Sequence, residues 1–337
     1  MNSILLCDHY LDPRLVRRKK WLDGFFGSCD VYVDKTRGEH FKNDGMMEKD
    51  INEIKIKHIL KSDLIYISGV RVLISHFTYF LIARLLNKNM VYEIPDLPLR
   101  SKSKVKNYII SFIFKFLVFL LFKRVVITSS AFVHKLPKKI DFYECENLPS
   151  EVDSYNKVKS KKLKTIAFVG VLRYLKQMEF LIKYASMRQV CVDFYGGPDD
   201  AIEELKKYND GLNIHAPIRF FGKFKSSDIK FIYDDIAFVY SVYDVEQENV
   251  RLALPNKLYE SILFKTPIIV SKKTHLSNMV EKEKCGFSVD SQNFNDFCID
   301  MDIGLADTYQ FDSGVLEDKI LNQEIRFIDW IKKSLLF

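Results

Sequence analysis

The chain has 337 residues, 47% of them hydrophobic and 28% charged, with 27 Phe and 17 Tyr and a formal net charge of +7. That is a globular composition, long enough for two domains of ordinary size. Six scattered cysteines, none in a CxxC or zinc spacing, exclude a disulfide framework and read as reduced thiols. Reduced thiols lead to the expectation of a cytoplasmic protein, and the apolar residues 1–7, which run at once into Asp8 and Asp12, are too short for a signal peptide. The charge is uneven. Residues 1–150 hold 25 Lys and Arg against 16 Asp and Glu, an excess of nine, which leaves the remainder at −2. A basic half favours a phosphate-rich or anionic partner. Nucleic acid is not the expected partner, because zinc fingers, aromatic-basic repeats and a clear helix-turn-helix pattern are missing from the sequence.

In chain order, SILLCD (3–8), CDVYVD (29–34), DLIYIS (63–68), NMVYEI (89–94) and RVVITS (124–129) predict strands of one sheet, apolar enough to be covered on both faces. Helices are expected between them at about 13–26, 73–87 and 103–123. The polar stretch SEVDSYNKVKSKKLK (150–164) lacks periodicity and reads as a linker. The alternation then restarts with TIAFVG (165–170), VCVDFYG (190–196), IRFFG (218–222), IAFVYS (236–241), TPIIVS (266–271) and GFSVD (286–290). Two βαβ runs predict an α/β chain of two doubly wound, Rossmann-like domains, 1–155 and 162–320, with ligand binding in a cleft outside the carboxyl ends of the strands. The helical pattern at 321–337 is expected to return to the first domain.

Two stretches of the second half carry chemistry. In ALPNKLYESILF (253–264), Pro255 suits a helix's first turn. Asn256, Lys257 and Glu260 share one arc, while Leu258, Tyr259, Ile262 and Leu263 share the other, with Phe264 breaking the division. Such a helix start attracts phosphate, and a carboxylate one turn on can accept both hydroxyls of a ribose. A surface helix with a Lys-Glu pair fits the same spacing. In FVGVLRYLKQMEFLI (168–182), a strand ends at Gly170, which lets a ligand approach the backbone. Arg173 and Lys176 then stand where they can neutralise a diphosphate leaving group. An ordinary strand-loop-helix joint with solvated cations fits too. Neither GxGxxG nor a Walker motif occurs.

Together, AFVGVLRYLKQMEFLI and LPNKLYESILFKTPIIVS resemble the GT-B glycosyltransferases of the family 4 type, bacterial enzymes of capsule, O-antigen and exopolysaccharide assembly. DPRLVRRKKWL (12–22), VYEIPDLPLR (91–100) and VVITSSAFVHKL (125–136) extend the resemblance over nearly the whole chain. It implies a GT-B fold and transfer of a sugar, hexosyl or deoxyhexosyl, from a nucleotide-sugar donor to a lipid-linked saccharide. It also implies retention of configuration without a metal or other cofactor, with which the lack of a DxD motif is compatible. The family's donor-site Gly falls on Gly170, its phosphate-binding Lys on Lys176 and its ribose-binding Glu on Glu260. Gly222 and Phe224 fall in the loop that cradles the base, and the Pro255-Asn256-Lys257 helix start faces phosphates or sugar. Val171 stands in place of an Arg, leaving that role to Arg173. Leu252 stands in place of a second Glu, with Glu246 and Glu248 nearby.

On the acceptor side, Asp96 follows the fourth strand and either orients or deprotonates the acceptor hydroxyl, or caps a turn. Asp12 and Arg14 are candidates for the acceptor entrance, and His9 and His76 are weaker ones. The segment NYIISFIFKFLVFLLFKR (107–124) is too short to span a bilayer and is interrupted by Lys115. It fits an interfacial helix that meets an anionic membrane through 102–124, and also a helix buried against the sheet. Two other functions remain open: a nucleotide-sugar epimerase or dehydrogenase, although no YxxxK motif stands in the right place, and a non-catalytic scaffold of a polysaccharide assembly complex.

Overall fold

A computed structural model describes residues 1–42, 45–99, 101, 103–149 and 165–335. The linker at 150–164, the proposed boundaries at 155 and 162, Arg100, Lys102 and the last two residues of the C-terminal pattern lie outside the described residues. The chain divides into two compact units, residues 1–150 with 321–337, and 151–320.

The first unit holds β1 (Ser3–Cys7), α1 (Pro13–Phe26), β2 (Cys29–Val33), β3 (Glu48–Asp50), α2 (Ile56–Lys61), β4 (Leu64–Ser68), α3 (Val70–Ser75), α4 (Phe77–Leu85), β5 (Met90–Ile94), α5 (Lys104–Leu121), β6 (Arg124–Ile127) and β7 (Asp141–Glu144). Its strands form a parallel sheet in the order β3-β2-β1-β4-β5-β6-β7. Every residue of β1, β4 and β5 is buried, as strands covered on both faces require. The edge strands β3 and β7 were not expected from the sequence, being short and polar. The expected single helix at 73–87 is two, α3 and α4, joined at His76.

α1 begins where the sequence says it must. Asp12 caps it by accepting from the Leu15 backbone N–H at 2.9 Å, and Pro13 opens its first turn. Its Leu15, Trp21, Leu22 and Phe26 are buried, along with Phe327, Ile328 and Ile331. The latter three belong to α13 (Ser313–Leu335), a helix that starts in the residues of the second unit and ends in those of the first. Burying each such side chain stabilises the fold by about 1.5–3 kcal/mol.

The second unit holds β8 (Thr165–Val169), α6 (Leu175–Arg188), β9 (Cys191–Tyr195), α7 (Asp199–Asp210), β10 (Ile218–Gly222), α8 (Ile229–Asp235), β11 (Phe238–Ser241), α9 (Glu248–Leu252), α10 (Asn256–Leu263), β12 (Ile268–Ser271), α11 (His275–Glu283), β13 (Gly286–Val289) and α12 (Phe294–Ala306). Its sheet is parallel in the order β10-β9-β8-β11-β12-β13. In both sheets the strand order reverses beside the first strand, between β1 and β4 and between β8 and β11. That reversal is the Rossmann-like arrangement, and its crevice is where such sheets take ligands.

Candidate active site in the second unit

The carboxyl ends of β8, β9 and β10 are knitted by their backbones. Gly170 N–H donates to Tyr195 O at 2.8 Å, Gly196 N–H to Gly222 O at 2.6 Å and Leu172 N–H to Gly197 O at 2.8 Å. Gly170 and Gly196 have φ of +135° and +125°, a region closed to other residues. A Cβ on Gly196 would stand 1.8 Å from Gly170 O, so the loops meet only because that side chain is absent. Gly222, with φ of +67°, borders open space, and Phe224 is half-buried.

At the reversal of strand order, a Cβ on Gly170 would lie 3.3 Å from Lys257 Nζ. Lys257 stands in the first turn of α10. Its Nζ donates to Tyr243 Oη at 2.8 Å and sits 4.7 Å from the centre of the Phe168 ring. Tyr243 follows β11, and Tyr174, which precedes α6, packs edge-on against it at 5.8 Å. An ammonium is thereby held at the switch point by two aromatic rings and a hydroxyl. Pro255 is the residue before α10 rather than in its first turn, with φ of −79°, and Asn256 beside it is exposed.

One turn along α10, Glu260 Oε2 accepts from the buried Tyr233 Oη at 2.8 Å. Burial raises the Glu260 pKa, opposed by the Tyr233 hydrogen bond and the charge of Lys257. Burial also holds Tyr233 neutral by raising its pKa. The apolar arc of α10 is buried, and Phe264, placed by periodicity on the polar side, is buried as well because the helix ends before it and it packs on Tyr233 at 5.2 Å. Arg173 and Lys176 are both exposed, and Lys176 Nζ leans along α6 to 5.7 Å from the Phe180 ring. Val171 is exposed, and Leu252 ends α9 half-buried.

Residues 163–306 match the family described as glycosyl transferases group 1. The match covers 144 of the 337 residues, and its described part lies within the second unit. No curated protein matches the chain. Among solved structures, a glycosyltransferase from Rickettsia africae ESF-5 is similar at 13% identity and a TM-score of 0.66, over 99% of this chain and 98% of that one. A Methanocaldococcus jannaschii UDP-GlcNAc 2-epimerase in complex with UDP-GlcNAc and UDP is similar at 10% identity and 0.60, over 98% and 99%. An alpha-glucosyltransferase in complex with UDP and mismatch-containing DNA is similar at 11% identity and 0.59, over 97% and 95%. The fold of the chain is GT-B, with two Rossmann-like α/β units.

In the first unit the residues expected on the acceptor side have partners. Asp12 caps α1 and pairs with Arg14 at 3.1 Å, and the buried Arg14 lies 3.2 Å from Glu93. His9 Nδ1 lies 2.6 Å from Tyr10 O, and one His9 ring nitrogen, Cys7 Sγ and one Asp8 carboxylate oxygen lie within 4.8 Å of one another. Asp96 is exposed. The switch point of this sheet belongs to Asp8: a Cβ on Gly69, at the end of β4, would fall 2.3 Å from Asp8 Cγ. The sequence signal for Asp8 was only its place at the end of SILLCD.

Proposed function

We propose that the protein transfers a glycosyl group from a nucleoside-diphosphate sugar to an acceptor hydroxyl on a lipid-linked saccharide, at the cytoplasmic face of the membrane, in bacterial surface-polysaccharide assembly. The observation that carries the donor half is Lys257 Nζ lodged against Gly170, with Glu260 one turn further along the same helix. A diphosphate on Gly170 meets that ammonium and the N-terminal N–H groups of α10, which stabilise the charge that develops as the glycosyl bond breaks. Arg173 and Lys176, on the adjoining loop and helix start, are proposed to reach the outer phosphate. Gly222 and Phe224 border the base. Glu260, oriented by Tyr233, accepts the ribose hydroxyls. Asp96 is the proposed acceptor-side base. With these cations in place we propose retaining chemistry that needs no metal, so an excess of EDTA is expected to leave turnover unchanged.

The decisive test is thermal unfolding with UDP, GDP, dTDP and NAD, followed by transfer from the matching nucleotide-sugar to membrane extracts. One nucleotide at a hundred times its Kd is expected to stabilise the protein by about 2.7 kcal/mol, with no response to NAD. Glu260→Ala is expected to weaken that nucleotide about 10- to 100-fold, the loss of hydrogen bonds to a charged acceptor. Affinity is expected to fall as pH drops through the raised Glu260 pKa, since only the carboxylate accepts both hydroxyls. The stability effect has the opposite sign. Burial penalises the ionised form, so Glu260→Gln, which still accepts from Tyr233, raises the unfolding midpoint at pH 7, and the gain vanishes below the pKa of the unfolded chain. A shift with NAD and none with nucleoside diphosphates would sink the reading. The UDP-GlcNAc 2-epimerase of similar fold makes nucleotide-sugar epimerisation the second reading; C2 inversion without transfer would favour it.

A further inference from the structure

The first unit has a basic pocket at the edge opposite the carboxyl ends of its strands. Its volume is about 570 Å³, and Arg84, Asn87, Lys88, Asn89, Lys123 and Arg124 supply its polar lining. None of its lining residues is acidic. The topology assembles it: α4 and α5 both run back along the sheet and end where β5 and β6 begin, so the residues at those four ends converge. Arg124 is paired with Asp141 at 3.1 Å. Arg84, Lys88 and Lys123 have no ion pair among the described residues. The C-terminal ends of α4 and α5 favour cations, worth about 0.3–1 kcal/mol each. That accounts for one cation per helix end, and leaves a cluster that repels itself until an anion enters.

The pocket adjoins an apolar face. On α5, Val105, Tyr108, Ile109, Phe112, Phe116 and Phe119 occupy one arc of about 100° and are between 51% and 76% exposed. The opposite arc, with Phe114, Val118 and Leu121, is buried. A helix on a soluble surface turns polar residues outward, and this one does the reverse. Leu85 and Leu86, which directly follow Arg84, are 73% and 58% exposed and extend the face to the pocket. The surrounding sequence is one-signed: residues 64–92 and 97–140 contain no Asp or Glu and 13 Lys and Arg. A second copy of this face would bring cations against cations, whereas an anionic bilayer supplies both the apolar phase and the counter-charge. No described helix is long and apolar enough to cross a membrane, and α5, 18 residues or about 27 Å long, has the length to lie flat.

We propose that the Arg84–Lys88–Lys123–Arg124 pocket seats the phosphate of an anionic phospholipid headgroup while the exposed arc of α5 and the end of α4 enter the interface. This rests on the membrane part of the reading above and assigns it a defined site. The test is sedimentation of the full chain with vesicles of phosphatidylcholine alone or with phosphatidylglycerol. Wild type is expected to pellet with the anionic vesicles and to be released by salt. Arg84→Gln/Lys88→Gln/Lys123→Gln is expected to weaken that binding about 100-fold, at about fivefold per charge, with nucleotide-induced thermal stabilisation intact. Replacing Lys104, Lys106 and Lys139, exposed cations outside the pocket, by Gln is expected to cost less. Equal losses for the two triple variants would overturn the pocket while leaving a diffuse membrane surface. Phe112→Ser/Phe116→Ser is expected to abolish binding, and no pelleting of wild type would overturn the membrane reading with it. Glycerol phosphate stabilising the wild type while vesicles do not bind would reassign the pocket to a free phosphate and overturn the lipid.

Discussion

Replacing Lys257 by methionine is expected to lower turnover about 100- to 1,000-fold, the loss that follows removal of one preorganised group facing developing charge. Methionine keeps most of the aliphatic packing against Phe168 and Tyr243 and deletes only the ammonium that lies over Gly170. The unfolding midpoint therefore moves little while transfer falls. Lys257→Arg is expected to rescue poorly, because a planar fork does not fit the space a point charge occupies between two rings and a glycine. Lys176→Ala, at an exposed side chain that leans toward Phe180, is expected to cost about tenfold, since a solvated cation stabilises less than a preorganised one. Steady-state kinetics with a saturating acceptor measures all three. Turnover of Lys257→Met within threefold of wild type, with Lys176→Ala the more damaging variant, would move the diphosphate to the start of α6.

The second large effect is structural. Glu93, fully buried in β5, accepts from Tyr66 Oη at 2.7 Å and lies 3.3 Å from Arg18 Nη2 and 3.2 Å from Arg14 Nη1. Arg18 is itself fully buried, with its guanidinium 4.8 Å from the Trp21 ring and 5.5 Å from Phe327. Burial works against both arginine charges, and neighbouring groups, Glu93 among them, overcome it, so both pKa values are raised. Glu93→Leu leaves two guanidinium groups without this counter-charge in a dry interior and is expected to destabilise the first unit by about 3–5 kcal/mol in urea unfolding. Adding Arg18→Met is expected to recover a large part of that loss, because a pair removed together leaves no orphan charge. If Glu93→Leu alone unfolds like wild type, the network does not hold α1 to β4 and β5.

Local sequence pattern encodes the central elements of both sheets and does not encode partners that are distant along the chain. Both parallel sheets were legible, because their central strands are unbroken apolar runs. β3 and β7 were not, since an edge strand of three or four half-exposed residues has no periodicity of its own. The break at His76 is not legible in the sequence, because 73–87 has no Gly or Pro and its apolar residues continue on both sides of the Ser75-His76 pair. In the candidate site, Gly170, Lys257 and Glu260 were all named from PNKLYE and the end of TIAFVG. Gly196, which makes room for the Gly170 carbonyl, was passed over as the end of a strand. The pattern of 107–124 fits an interfacial helix and a buried one, and α5 has a face of each kind, one arc buried and the other exposed.

By itself, then, the sequence determined the α/β alternation, the start of α1, and the set of cations and carboxylates carried by the stretches 168–182 and 253–264. These depend on neighbours within about four residues, through periodicity, capping and charge. Only the tertiary structure decided that Lys257 is the cation lying over Gly170, that Glu93 takes two buried arginines, and that four basic side chains from the ends of α4, α5, β5 and β6 share one pocket. Each of those facts joins residues dozens of positions apart, whose meeting is set by strand order and crossover direction rather than by any local pattern.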